Sequence, residues 1–153
     1  MNKVKKTVCR NKKARHEYFI EEVYHAGMAL IGAEVKSLRE GRANLVDSYA
    51  KIKKGEVFLY KMHISPYPFA RLMELDPVRT RKLLLSKREI KRLIGKTEQK
   101  GYSLIPLEVY FSGAYAKVDI ALAKGKRKAD KRQAIKERDM KRELDQARKK
   151  REY

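Results

Sequence analysis

The sequence predicts a small, mainly β domain with one or two helices, set between two strongly basic segments. Three observations predict it. Short stretches rich in β-branched and aromatic residues alternate apolar with polar side chains, glycines punctuate them, and charge gathers at both ends of the 153-residue chain. Setting aside about fifteen residues at the start and about thirty at the end leaves roughly 105, enough for one domain with its own core. The expected division is a basic arm at 1–15, a β domain at 16–123 and a basic tail at 124–153.

The arm carries seven Lys or Arg and no acidic residue, and is expected to fray until it meets a polyanion. Residues 17–26, EYFIEEVYHA, set Ile20, Glu22 and Tyr24 on one face and Phe19, Glu21, Val23 and His25 on the other; this is a strand, ended by Gly27. Residues 28–31 read as a second short strand that Gly32 breaks. Residues 33–40 allow about two helical turns, with Val35 and Leu38 at i,i+3, before Gly41 stops them. Lys54-Gly55 turns 48–53 back onto 56–64 as a β-hairpin. Pro66, Pro68 and Pro77 make 65–77 a surface loop, and Asp76-Pro77 opens a turn that presents Arg79, Arg81 and Lys82.

Residues 83–85 are expected to bury. Ser86 and Glu89 form a capping box for a helix whose Ile90, Leu93 and Ile94 share a face and which Gly101 is expected to end. Residues 102–111 and 114–123 make the last hairpin about Ser112-Gly113. Its second strand alternates Ala116, Val118, Ile120 and Leu122 against Lys117, Asp119 and Ala121, the pattern of a sheet buried on one side. About six short strands with one or two helices predict a small closed antiparallel barrel of the oligonucleotide-binding type.

The tail, KGKRKADKRQAIKERDMKRELDQARKKREY, holds 14 basic against 6 acidic residues. Helix-favouring side chains dominate, and Glu137 with Lys141 and Asp145 with Lys149 are spaced for i,i+4 pairs. Met140, Leu144 and Ala147 fall on one stripe too thin to dock on a core, so the tail is expected to be disordered or helical until it meets a negatively charged surface. The plainer alternative is a solvated charge run that aids solubility.

A net charge of +20 and a pI near 10.1 favour nucleic acid as partner over an anionic membrane, into which the tail stripe could insert little. The lone Cys9 excludes an internal disulfide and fits a reducing cytoplasm. No apolar leader or spanning run is present, so a cytoplasmic protein is expected. No phosphate loop, metal-binding pattern or nucleophile motif occurs, and His16, His25 and His63 stand apart, so no catalysis, metal or cofactor is expected. Basic residues cluster at 3–15, 51–54, 79–92 and the tail; Lys87, Arg88, Lys91 and Arg92 are either phosphate ligands or only the polar face of their helix.

Four strings carry a family resemblance: NKKARHEYFIEE from Asn11, GAEVKSLREGRANLVDSYAKI from Gly32, DPVRTRKLLLSKREIKRLIG from Asp76, and AKGKRKADKR from Ala123. They resemble the bacterial SsrA-binding proteins. The resemblance implies an oligonucleotide-binding barrel that holds the tRNA-like domain of transfer-messenger RNA (tmRNA). It implies support for alanylation by alanyl-tRNA synthetase and delivery with elongation factor Tu, both through the RNA, to the A site of a stalled ribosome. The tail would become helical in the 16S rRNA decoding centre and empty mRNA channel. A monomer is expected.

By the same resemblance, RNA contacts fall on Asn11, Lys12, Lys13, Arg15, His25, Lys36, Arg79, Arg81, Lys82 and Leu84, although Leu84, in a run of three leucines, could equally be core. Glu34 would set local geometry without touching RNA. Ribosome contacts fall on Gly125, Lys126, Arg127, Lys128, Asp130, Lys131, Arg132 and Met140. His25 stands where relatives often carry an acidic residue, Ala129 where a larger one is usual, and Met140 where Trp is frequent.

Overall fold

The computed structural model describes residues 4–68 and 76–151. The chain begins, against expectation, in a paired strand rather than a frayed arm. β1 (Lys5–Arg10) runs antiparallel to β8 (Tyr102–Ser112), because Val8 and Cys9 reach the core and outweigh the flanking charge. Burial pushes the Cys9 thiol up to about 11, which keeps it protonated and unreactive. One short turn, α1 (Ala14–Glu17), leads into β2 (Tyr18–Met28), eleven residues long.

Gly27 therefore does not end the strand. A Cβ there would lie 3.3 Å from Leu84 Cβ, so the glycine serves a close approach between strands rather than a break. Residues 29–31 are accordingly no second strand. α2 (Gly32–Arg39) follows, and Gly41, at φ 73°, turns the chain out of it. β3 (Ala43–Asn44) later pairs with β6 (His63–Ile64) in a small separate sheet. β4 (Tyr49–Lys53) and β5 (Glu56–Tyr60) form the expected hairpin, with Lys54 and Gly55 at φ 51° and 74°, both in the left-handed region that a two-residue turn requires.

In the described part of the 65–77 loop, Asp76 accepts from the Val78 N–H at 3.0 Å and opens the predicted turn; residues 69–75 lie outside the described residues. β7 (Arg81–Leu84) then alternates strictly, with Arg81 and Leu83 inward and Lys82 and Leu84 outward. α3 (Lys87–Thr97) starts at the predicted box, where Ser86 Oγ accepts from Glu89 N–H and Glu89 Oε1 from Ser86 N–H, both at 3.2 Å. Its Leu93 is fully buried.

The main sheet is antiparallel, in the order β1-β8-β4-β5-β7-β2-β9, with β9 (Tyr115–Gly125) also paired to β8. Val57, Leu59, Met62, Leu83, Leu93, Ile120 and Leu122 form the heart of its core. β9 is not buried on one side only, as its alternation suggested. Residues 118–123 are all buried: on the outer face α1 closes a second cluster of Ala14, Ile105 and Ala123 with Tyr18, Ile20 and Leu107, while Asp119 is held against His25 and Tyr110. The tail is one helix, α4 (Lys128–Arg151), with Met140 and Leu144 each 65% exposed; neither spaced charge pair closes into an ion pair.

An extra residue in β2 after Ile20 separates the adjacent carboxylates: Glu21 accepts from Tyr102 OH, while Glu22 accepts from Arg92 of α3 and from Tyr24 OH. The Arg92 hydrogen bond, helped by Tyr24, holds Glu22 down to about 2. A depressed carboxyl contributes stability above its unfolded pKa and loses it as pH falls through its folded one. Thermal stability should therefore decline between about pH 4.5 and about pH 2, and Glu22→Gln should flatten part of that decline in melting curves against pH. The Glu22 side chain is 26% exposed and its partner Arg92 60%, so solvent screens the pair and the contribution is modest.

Candidate nucleic-acid interface

Directly opposed residues on neighbouring strands point to the same face, so the ladder registers define two rows across the outer surface. One row runs Leu84, Gly27, Lys117, Tyr110, Thr7; the other runs His25, Asp119, Glu108, Arg10. At about 4.8 Å between strands the first row spans roughly 19 Å. Leu84, 53% exposed, lies over the bare Gly27 at one end. Leu84 is thus not core: alternation in β7 turns it outward beside Lys82.

The centre of the face is a polar network. Asp119 Oδ1 lies 2.6 Å from His25 Nδ1 and accepts from Tyr110 OH at 2.8 Å. Burial, with the Asp119 carboxylate beside it, pushes the Tyr110 phenol far up, so it remains a donor. Lys5 Nζ stands 4.5 Å above the Tyr110 ring and 2.9 Å from Glu108 Oε1, which also accepts from Thr7 at 2.8 Å. Burial works to raise the Glu108 pKa, but Lys5, Thr7 and Arg10 outweigh it and lower it. Both acidic groups in the rows are thereby compensated. Lys82, itself 3.0 Å from Glu56 Oε1, and the exposed His25 edge flank the apolar Leu84 end; Lys117 stands midway, and Arg10 lies at the opposite end.

Among the described residues, Arg81 is the one predicted contact that is fully buried. Its Nε donates to Glu34 Oε2 at 2.7 Å, Nη1 to Met62 O and Nη2 to Pro77 O at 3.1 Å. The alternation that turns Leu84 out turns Arg81 in. Glu34, 4% exposed, also accepts from Arg79 and from Ile31 N–H at 3.0 Å. Burial favours its neutral form, yet the bonds from Arg79, Ile31 and Arg81 prevail and lower its pKa. This cluster ties α2 to β7 and to residues 62 and 77. Lys36 stands on exposed α2 surface with Nζ 5.5 Å from the Tyr67 ring, so Lys36 and Arg79 sit apart from the two rows.

The β1–α1 corner carries Asn11, Lys12, Lys13 and Arg15. Asn11 is structural here: its N–H donates to Leu107 O at 2.8 Å and its Nδ2 to Pro106 O at 3.0 Å. Lys12, Lys13 and Arg15 are exposed. The tail is rooted at this corner, since Lys126 N–H donates to Glu17 O at 2.8 Å and its Nζ to Arg15 O at 2.9 Å. Gly125 closes β9, and Arg127, Arg132 and Met140 are exposed; the side chains of Lys128, Asp130 and Lys131 lie outside the described residues. Lys5, Thr7, Arg10, Gly27, Glu108, Tyr110, Lys117 and Asp119 complete the face and are not among the contacts read from the sequence. Alternation in β9 had placed Lys117 and Asp119 outward, and that signal could have found them.

A sheet face of basic and apolar side chains, with a basic helix rooted at the β1–α1 corner, has the chemistry of a nucleic-acid-binding protein. A family model described as SmpB protein matches residues 8–150. The chain belongs to the SmpB family, a family of RNA-binding proteins and not of enzymes. It is 55% identical over 142 residues to the SsrA-binding protein of Geobacillus thermodenitrificans, covering 93% of this chain and 92% of that one. To the SsrA-binding protein of Halothermothrix orenii it is 56% identical over 147 residues, covering 96% and 95%. A chain of a solved structure described as tmRNA-SmpB, a journey to the center of the bacterial ribosome, superposes with a TM-score of 0.66 at 48% identity, covering 82% of this chain and 92% of that one.

Among the described residues no helix is long and apolar enough to cross a membrane, and no group of three His, Cys, Asp or Glu side chains stands together as metal ligands.

Proposed function

We propose that this chain is the RNA-binding adaptor of trans-translation, acting as a cytoplasmic monomer. Its sheet face binds the tRNA-like domain of tmRNA and supports alanylation and delivery with elongation factor Tu to stalled ribosomes. Its tail, 124–153, enters the decoding centre and empty mRNA channel. We read the return of β9 onto β8 as the closure of an oligonucleotide-binding barrel. The observation that carries the reading is the half-exposed Leu84 packed over Gly27, beside His25 and Lys82. An exposed leucine among cations, over a position kept bare of side chain, suits contact with a base or ribose edge, while the cations take phosphates.

In this assignment Lys12, Lys13, Arg15, His25, Lys36, Arg79, Lys82 and Leu84 touch the first RNA. Asn11 and Arg81 instead position the segments that carry them. Selectivity comes from the shape of the face, because phosphate contacts alone do not distinguish RNAs.

Leu84→Ala is expected to weaken binding to the tRNA-like RNA about tenfold, with an unchanged melting temperature. Filter binding at physiological salt with bulk tRNA as competitor checks this. If bulk tRNA competes as well as the tRNA-like domain, the chain is a general RNA binder and the adaptor reading fails.

A further inference from the structure

The second row of the sheet face begins with an imidazole that is held on one side and open on the other. The His25 side chain is 65% exposed, whereas that of Asp119 beside it is 13% exposed. Asp119 Oδ1, 2.6 Å from His25 Nδ1, accepts from Tyr110 OH at 2.8 Å, and that hydroxyl is 3.3 Å from Nδ1. Because the phenol proton is committed to Asp119, the ring itself must supply the proton between Nδ1 and the carboxylate. A neutral His25 is therefore the Nδ1–H tautomer, and its Nε2, which no hydrogen bond reaches among the described residues, is a bare acceptor. Phosphate oxygens only accept, so the neutral ring offers them nothing. Protonation of Nε2 turns the same edge into a cationic donor, and the Asp119 carboxylate favours that charge.

The charged groups around the ring leave this edge to an anion. From β9 Asp119 and Lys117 face it, and from β8 Glu108 continues its row, held there by Lys5 and Thr7 of β1, with Arg10 beyond. On its own strand Glu21 accepts from Tyr102 and Glu22 from Arg92. On the other side β7 brings Lys82, which pairs with Glu56, and α3 opens with Lys87 and with Glu89, which Ser86 engages. Asp119 is thus the one carboxylate that bonds the ring among the described residues. Gly27, with Leu84 over it, lies two residues further on the same face of β2, about 7 Å along the strand.

We infer that His25 holds an RNA phosphate as its imidazolium, so that RNA binding by the sheet face takes up a proton and tightens as pH falls. A histidine changes charge between about pH 5 and 8, the range in which a cell can vary. A bound phosphate favours the charged ring, so over that range the complex holds more protons than the free partners do. Affinity therefore rises as pH falls through the range and levels off once the ring is charged in both states. The lysines and arginines of the face stay charged throughout and supply the part of the affinity that pH does not move. The inference rests on the RNA-binding reading above and adds to it a regulation that the lysines alone would not confer.

The test is calorimetric titration of the full chain with the tRNA-like RNA, in two buffers of different ionisation enthalpy at equal salt, with affinity followed from about pH 8 to about pH 6. Wild type should give a buffer-dependent enthalpy, the mark of proton uptake, and should bind about tenfold more tightly at the acid end. His25→Gln should lose the uptake and bind throughout as wild type does at the alkaline end. His63→Gln, changed in the small separate sheet, should keep the uptake. Asp119→Asn, which removes the charge that favours the imidazolium, should move the rise in affinity to lower pH. The same uptake and pH response in His25→Gln would overturn the inference, as would their absence from wild type. Leu84→Ala in the same titrations separates the two readings. Weaker binding by Leu84→Ala, with no proton uptake in wild type, would retire the role of His25 and leave the face standing. Unchanged affinity in both Leu84→Ala and His25→Gln would overturn the face and the inference together.

Discussion

Replacing Arg81 with alanine is expected to lower unfolding stability by about 3–5 kcal/mol, the largest effect of any single substitution considered. The guanidinium is fully buried and serves three acceptors: Glu34, Met62 O and Pro77 O. Its removal leaves a 4% exposed carboxylate short of a partner and two backbone carbonyls without their donor. Urea unfolding should show a lower midpoint with an unchanged slope. Arg81→Met combined with Glu34→Met should recover much of the loss, because an apolar pair of similar volume carries no stranded charge. A double variant no more stable than Arg81→Ala would show that the cost lies in packing. Because the same cluster anchors Arg79 and the start of β7, RNA binding should weaken in Arg81→Ala even under conditions where it remains folded.

Ending the chain after Arg127 should abolish peptide tagging on stalled ribosomes while changing affinity for the tRNA-like RNA by less than about threefold at physiological salt, where distant charges are screened. The position of the cut follows from the structure. Tyr18 pairs with Gly125 and Phe19 with Lys124, and Lys126 bonds to Arg15 O and Glu17 O, so a cut within β9 would damage the sheet itself. Beyond residue 127 the helix presents Met140 and Leu144 to solvent, and none of its described side chains belongs to the core. Ribosome tagging assays with and without residues 128–153 provide the measurement. Loss of RNA binding together with tagging would show that the tail and the sheet face act as one site.

Elements whose signals are local were legible in the sequence. The Ser86–Glu89 box, the Lys54-Gly55 turn, the stop at Gly41 and the last hairpin each rest on a few adjacent residues. What escaped depends on distant partners. β1 looked like a loose arm because nothing near Lys5–Arg10 announces β8, about a hundred residues away. Gly27 looked like a break because Leu84, the side chain that requires it, comes from another strand. Arg81 looked like a surface cation because its partner Glu34 is remote in sequence; alternation with Leu83 was the available clue. The face followed the same rule. His25, Lys82 and Leu84 were found through their strings, but the His25–Asp119–Tyr110 network emerged only once three strands were laid side by side.

The pairings of β1 with β8 and β2 with β9 also govern the order of folding. Both early strands find their principal partners only among residues 102–125. While the chain is being synthesised, at about 5–20 residues per second, the first thirty residues lack the strands that complete them. The β4–β5 hairpin can form early from local contacts, whereas the sheet awaits loop closures over most of the chain, the topology of a slow folder. Until then Val8 and the core residues Tyr24, Ala26 and Met28 remain uncovered, and the seven Lys and Arg of residues 1–15 keep unfinished chains apart.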